Sequence, residues 1–192
     1  MRGDGQVVMV KFLTYNVEVA PAFQLNTGKY WICNTNNGGS YTTTDPQEEL
    51  RRIDAVDAAC NNNLRPLIRM LKVWQAYCSV PIKSFQLELV AAEFLQQSPW
   101  REKTFFYFDW IMRDFFAYLH GKANGFVFAP GTYEVVCLGE AWLSRTLTAY
   151  QRASKACDYE YRNQVEAAGD EWQKIFGGFV ARSACWRSVR RT

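Results

Sequence analysis

The chain has one histidine, His120, in 192 residues. It has six cysteines, at 33, 60, 78, 137, 157 and 185, and no two form C-x-x-C. Zinc sites need soft ligands clustered at short spacings, so this pattern offers none. The cysteines read as buried free thiols kept reduced. No apolar run reaches membrane-spanning length, and no signal peptide precedes the first strand. The expectation is a cytoplasmic protein with no membrane partner. Charge of one sign is also scarce. The net charge is +3, too small to imply nucleic-acid binding. Repeats and low-complexity tracts are missing. What is abundant is apolar: 48% hydrophobic and 16% aromatic residues, enough for a sizeable core.

The front quarter reads as strands. VVMVKFL (7–13) is β-branched, YNVEVA (15–20) alternates, and KYWIC (29–33) is aromatic and β-branched. NTNNGGS (34–40) is a loop by composition. After Thr44 the character changes. Asp45-Pro46-Gln47-Glu48 signals a helix start, because Asp45 can cap free amides and Pro46 suits the first helical position. Leu50, Ile53, Val56 and Ala59 predict one apolar helix face. Leu64, Leu67, Ile68, Leu71, Trp74 and Cys78 predict a stronger one. Segment 84–97 is apolar on most sides and reads as a central helix ended by Pro99. Aromatic-rich 103–119 reads as helical and GFVFAPG (125–131) as a short extended piece. A long helical region is expected over 139–176, stopped by Gly177-Gly178. His120, before Gly121, reads as a helix-end residue. The fold class is α+β: a small antiparallel sheet followed by an α-helical bundle.

The residue types that can carry chemistry are few. In 15–20, Glu18 shares a face with Asn16 and Ala20, while Tyr15, Val17 and Val19 point the other way. A strand acid can be merely solvated, or it can bind a metal ion. Two-metal phosphoryl transfer requires several such acids on neighbouring strands. Arg65, Arg69 and Lys72 form a basic stripe on LRPLIRMLKVW, and Lys72 lies nearest the apolar seam, where its ammonium can reach a polyphosphate. Ser84 opens a helix, as a cap or at an anion site. Phe85 can stack on a base or pack into the core. Singly, each of these residues has an ordinary structural use. The C-terminal RSACWRSVRR sets Arg182, Arg187, Arg190 and Arg191 beside Trp186; it reads as a solvated tail, and a nucleic-acid partner is not expected.

Together and in order, VEVAPAF (17–23), Tyr41 with Thr44-Asp45-Pro46, LRPLIRMLKVW (64–74), KSFQLE (83–88) and WQKIFGGF (172–179) carry a family resemblance. The chain resembles the C-terminal part of the cGAS/DncV-like nucleotidyltransferases, relatives of oligoadenylate synthetase. The resemblance implies that residues 1–45 are part of a palm sheet and 46–192 the helical C-terminal domain. It implies that Glu18 is the third metal-binding carboxylate, usually Asp in the family, and so a catalytic residue. Lys72 and Ser84 would contact the triphosphate, and Phe85 would stack on a base. The implied cofactor is Mg²⁺, and the implied substrates are nucleoside triphosphates. The implied products are cyclic or linear oligonucleotides, second messengers of bacterial anti-phage defence.

The pattern also breaks. The family's other two carboxylates precede the third, after a Gly-Ser turn. Before Glu18 this chain has only Asp4. Gly38-Gly39-Ser40 followed by Asp54 and Asp57 is no substitute, because those aspartates fall within a helical pattern and in reversed order. The expectation is a C-terminal portion that is inactive alone. The alternatives are a nucleotide- or RNA-binding module without catalysis, or a structural oligomer with a silent site. An open sheet edge predicts a partner: a missing N-terminal half, or a second copy paired through VVMVKFL or the adjoining strand.

Overall fold

A computed structural model describes residues 2–4, 7–34 and 38–180. The chain divides into two compact units, one of Met1–Arg52 with Ala129–Glu134 and the other of Ile53–Phe128 with Val135–Thr192. The C-terminal arginines, Trp186 and Cys185 lie outside the described residues. Among the described residues no helix is long and apolar enough to cross a membrane.

The smaller unit is built from hairpins. Strands β1 (Arg2–Asp4), β2 (Val7–Lys11) and β3 (Asn16–Val19) form one antiparallel sheet in the order β1-β2-β3. Strands β4 (Ala22–Gln24), β5 (Tyr30–Asn34) and β6 (Ser40–Thr44) form a second. Pro21 lies between β3 and β4, where a residue without an N–H cannot continue a ladder. The strands therefore distribute over separate small sheets instead of one. VVMVK is the central strand of its sheet, with Val8 opposite both Gly3 and Val19. Its backbone groups face strands on both sides, so the free edges belong to β1 and β3. Val17 and Val19 are 37% and 47% exposed, so the face opposite Glu18 carries no covering layer of described residues.

Helix α1 (Pro46–Ala59) starts where the sequence signals it. The Glu48 amide donates to Asp45 Oδ1 at 3.1 Å. The 129–134 loop is held in this unit by Lys29, whose ammonium donates to the Gly131 carbonyl at 2.8 Å. Gly131 has φ +75°, and a Cβ there would sit 2.9 Å from the Asp45 Cβ, so the turn requires glycine. Along α1 itself, Val56 is buried but Leu50 and Ala59 are exposed, and Asp57 takes the inner position instead.

The larger unit holds the core. Helix α2 (Leu64–Tyr77) buries Leu64, Leu67, Ile68, Leu71 and Trp74, the face its period predicts. Helix α3 (Ser84–Gln97) buries Leu87, Val90, Ala91, Phe94 and Leu95. A 3₁₀ turn at Phe105–Tyr107 leads into α4 (Phe108–His120). Strands β7 (Phe126–Phe128) and β8 (Val135–Cys137) form a third small sheet, of which the sequence showed only the first half. The Gln86 side-chain amide donates to the Cys137 carbonyl at 2.7 Å and ties β8 to α3.

The helical region expected over 139–176 consists of two helices, α5 (Leu143–Tyr161) and α6 (Val165–Phe176). Asn163 sits between them at φ 60°, a left-handed conformation that Asn tolerates. Gly177 ends α6 at φ 66°, ψ −154°, and a Cβ there would meet the Tyr77 ring at 2.8 Å. The architecture is α+β, with small antiparallel sheets and, among the described residues, six α-helices.

Candidate functional site

Lys72, Ser84 and Phe85 all lie in the larger unit, where α2 and α3 pack together. Lys72 and Gln75 are one turn apart on α2. Ser84 and Glu88 are one turn apart on α3. The Lys72 ammonium pairs with the Glu88 carboxylate at 2.5 Å. The Ser84 hydroxyl donates to Gln75 Oε1 at 2.9 Å, and the Gln75 amide donates to the Ile82 carbonyl. These rungs hold the facing edges of the two helices in register. Phe85, 36% exposed, follows Ser84 directly. An ammonium and a hydroxyl thus meet along the α2–α3 seam, with Phe85 next to Ser84 in the chain.

Two local expectations change. Ser84 does not cap α3, because the Lys83 amide donates to Gln86 Oε1 at 2.8 Å and closes the first turn. The serine is the first helical residue, and its hydroxyl is used across the helix pair. Lys72 is not an unpaired cation either. Glu88 lies within the quoted KSFQLE, but sixteen positions from Lys72 no helical spacing links the two, so only tertiary packing reveals the pair.

The basic stripe is otherwise divided. Arg65 pairs with Asp54 and, at 3.6 Å, with Asp57. Asp57 Oδ1 accepts from the Leu64 and Arg65 amides at 2.9 and 3.0 Å, so α1 supplies the cap for α2. That gives both aspartates a structural use and agrees with excluding them as metal ligands. Arg69, one turn before Lys72, is exposed and has no ion pair among the described residues. Burial raises the Cys60 and Cys78 thiols above their ordinary range, so neither is a ready nucleophile. Cys33, Cys60, Cys78, Cys137 and Cys157 form no disulfide; Cys60 and Cys157 are buried, whereas Cys137 is exposed, contrary to the expectation of uniformly buried thiols.

Glu18 belongs to the smaller unit. It lies on the edge strand β3 opposite Met9, and the whole strand is exposed. Among the described residues, no three His, Cys, Asp or Glu side chains converge as a metal site would require. The described residues therefore do not fit the donor set of a Mg²⁺ pair, since one carboxylate cannot hold two ions in a transfer geometry.

A family model described as the Second Messenger Oligonucleotide or Dinucleotide Synthetase domain matches residues 1–56. A protein of Bacillus cereus (strain VD146) named "probable cyclic nucleotide synthase" is 23% identical over 172 residues. The match covers 83% of this chain and 50% of that protein, so the chain spans about half the length of the curated relative. The two matches together support the resemblance of this chain to the cGAS/DncV-like nucleotidyltransferases.

Proposed function

We propose that this chain is the C-terminal portion of a nucleotidyltransferase that makes cyclic or linear oligonucleotides from nucleoside triphosphates. Alone, it binds a triphosphate on the α2–α3 surface without transferring it. The observation that supports the reading is the α2–α3 seam on which Lys72 pairs with Glu88 and Ser84 with Gln75, with Arg69 one turn before Lys72 and Phe85 next to Ser84 in the chain. The family match at 1–56 supports the nucleotidyltransferase class. Lys72 and Arg69 hold the phosphates, Ser84 donates to a phosphate oxygen once released from Gln75, and Phe85 stacks on the base. Glu18 is the acid this chain contributes to a Mg²⁺ site completed by other carboxylates. Those belong to an N-terminal half outside this sequence or to a second copy, which pairs with an edge of the β1-β2-β3 sheet.

Titration of the full chain with a non-hydrolysable nucleoside triphosphate analogue tests this. Saturable binding weakened by Lys72→Ala and Phe85→Ala is expected. Binding that ignores both substitutions would favour a silent site in a structural protein.

A further inference from the structure

A small open cavity of about 80 Å³ lies among α2, α5 and α6 in the larger unit. That is far below the roughly 300–1,000 Å³ of sites for drug-sized ligands, so the cavity is of ion size. Arg145, Thr148 and Arg152 of α5 line one side, and Cys78 at the end of α2 and Lys174 of α6 line the other. Arg145 and Arg152 are seven residues apart, two turns along one face of α5, or about 10 Å by helical rise. Thr148 lies between them on that face.

The polar groups here are unequally satisfied. The Lys174 carbonyl accepts from Arg152 Nη1 at 2.7 Å, and the Ile175 carbonyl accepts from Cys78 Sγ at 3.5 Å. Thr148 donates its hydroxyl proton to the Ser144 carbonyl at 2.9 Å, and the Lys174 ammonium pairs with Glu171 at 2.6 Å. What remains is donor capacity on two arginines. Neither Arg145 nor Arg152 has a carboxylate partner among the described residues, and no carboxylate is among the described residues that line the cavity. The bond to the end of α6 fixes the half-buried Arg152 guanidinium and uses one of its five N–H groups. Both cations reach the same wall: burial raises the Cys78 thiol, and Arg152 and Arg145 each act on it in the opposite sense.

Two guanidinium groups that face one cavity without a counter-charge repel each other, and an anion between them removes that repulsion. Each offers a planar fork of N–H donors, which matches the several oxygens of an oxyanion better than the single point of a halide. We propose that this cavity is a binding site for one phosphate group, held by Arg145 and Arg152 and separate from the α2–α3 surface.

The test is calorimetric titration of the full chain with inorganic phosphate at constant ionic strength, for wild type, Arg145→Gln, Arg152→Gln, Lys155→Gln and Lys72→Ala. Saturable phosphate binding is expected. Arg145→Gln, at an exposed position with no ion pair among the described residues, should weaken it about fivefold or more with an unchanged melting temperature. Arg152→Gln should weaken it as much, but it also removes the contact to α6, so Arg145→Gln decides. Lys155→Gln removes the same charge from α5 outside the cavity and should change binding less than about twofold. Lys72→Ala should leave it unchanged, which keeps this site apart from the triphosphate surface. A second titration, with AMP in the Lys72→Ala background, identifies the source: binding that Arg145→Gln weakens makes the group the end of a nucleotide, and binding of inorganic phosphate alone makes it the free ion. Either result supports a phosphate site. No saturable phosphate binding, binding indifferent to Arg145→Gln, or an equal loss with Lys155→Gln or Lys72→Ala would overturn the proposal.

Discussion

The ion pair between Lys72 and Glu88 makes a prediction of uncommon sign. A triphosphate oxygen that takes the Lys72 ammonium comes within about 5 Å of the Glu88 carboxylate, since the pair itself is 2.5 Å apart. Two unit charges at that separation repel by about 0.8 kcal/mol in bulk water and about 3 kcal/mol at an effective dielectric near 20. The side chains are 46% and 27% exposed, so the watery end of that range applies, and about 1 kcal/mol is reasonable. Glu88→Gln removes the repulsion and frees the ammonium. It should tighten binding of a non-hydrolysable triphosphate analogue by about fivefold at low salt, and by less at high salt. Lys72→Ala should weaken the same binding. The substitution at Glu88 should cost the fold no more than about 1 kcal/mol, as for other partly exposed pairs. Isothermal titration at two ionic strengths reads both effects. If Glu88→Gln weakens binding as Lys72→Ala does, Glu88 supports the ligand and the electrostatic reasoning is wrong.

Three further predictions concern the larger unit. Gly177→Ala forces a side chain into a conformation kept for glycine and against the Tyr77 ring, so urea unfolding should show a loss of about 1–3 kcal/mol or more; wild-type stability would refute the packing described. Asp57→Ala leaves the first amides of α2 without their acceptor and should cost about 1–3 kcal/mol in the same assay, while Asp57→Asn should recover part of it. Glu93 accepts from Tyr118 and Lys122 at 2.7 and 2.6 Å. Burial would raise its carboxyl, but the bonds from Lys122 and Tyr118 outweigh burial and hold it below the usual range. Its contribution is therefore present above the ordinary carboxylate pKa and lost as pH falls through the folded value. Lys122 and Tyr118 are both shifted upward, so their contribution is lost as pH rises through their folded values. Glu93→Gln should flatten the acid limb of the stability profile as pH falls below the ordinary carboxylate range, and an unchanged limb would sink the assignment.

How much was legible in the sequence depended on the range of the interaction. The α2 face was readable because Leu64, Leu67, Ile68, Leu71 and Trp74 repeat at helical period and bury one seam. The start of α1 was readable because Asp45 acts on an amide three residues away. The apolar face of α1 misled. Leu50 has the right spacing but remains exposed, and Asp57 is buried because it caps another helix. The break at Asn163 lay in one residue tolerant of positive φ, inside an otherwise helical pattern. Strand β8 is three residues long and gains its place from β7 and Gln86, so it carried little signal of its own. Gln75 and Glu88, which pair with Ser84 and Lys72, could not be read from the sequence because those pairs exist only once two helices pack.

The central claim is that this chain holds a triphosphate-binding surface but not, by itself, the acids that transfer needs. The direct measurement is pyrophosphate release and oligonucleotide formation by the purified chain with all four nucleoside triphosphates and Mg²⁺. No product is expected, although the triphosphate analogue binds. Product that disappears with Glu18→Gln would contradict the account.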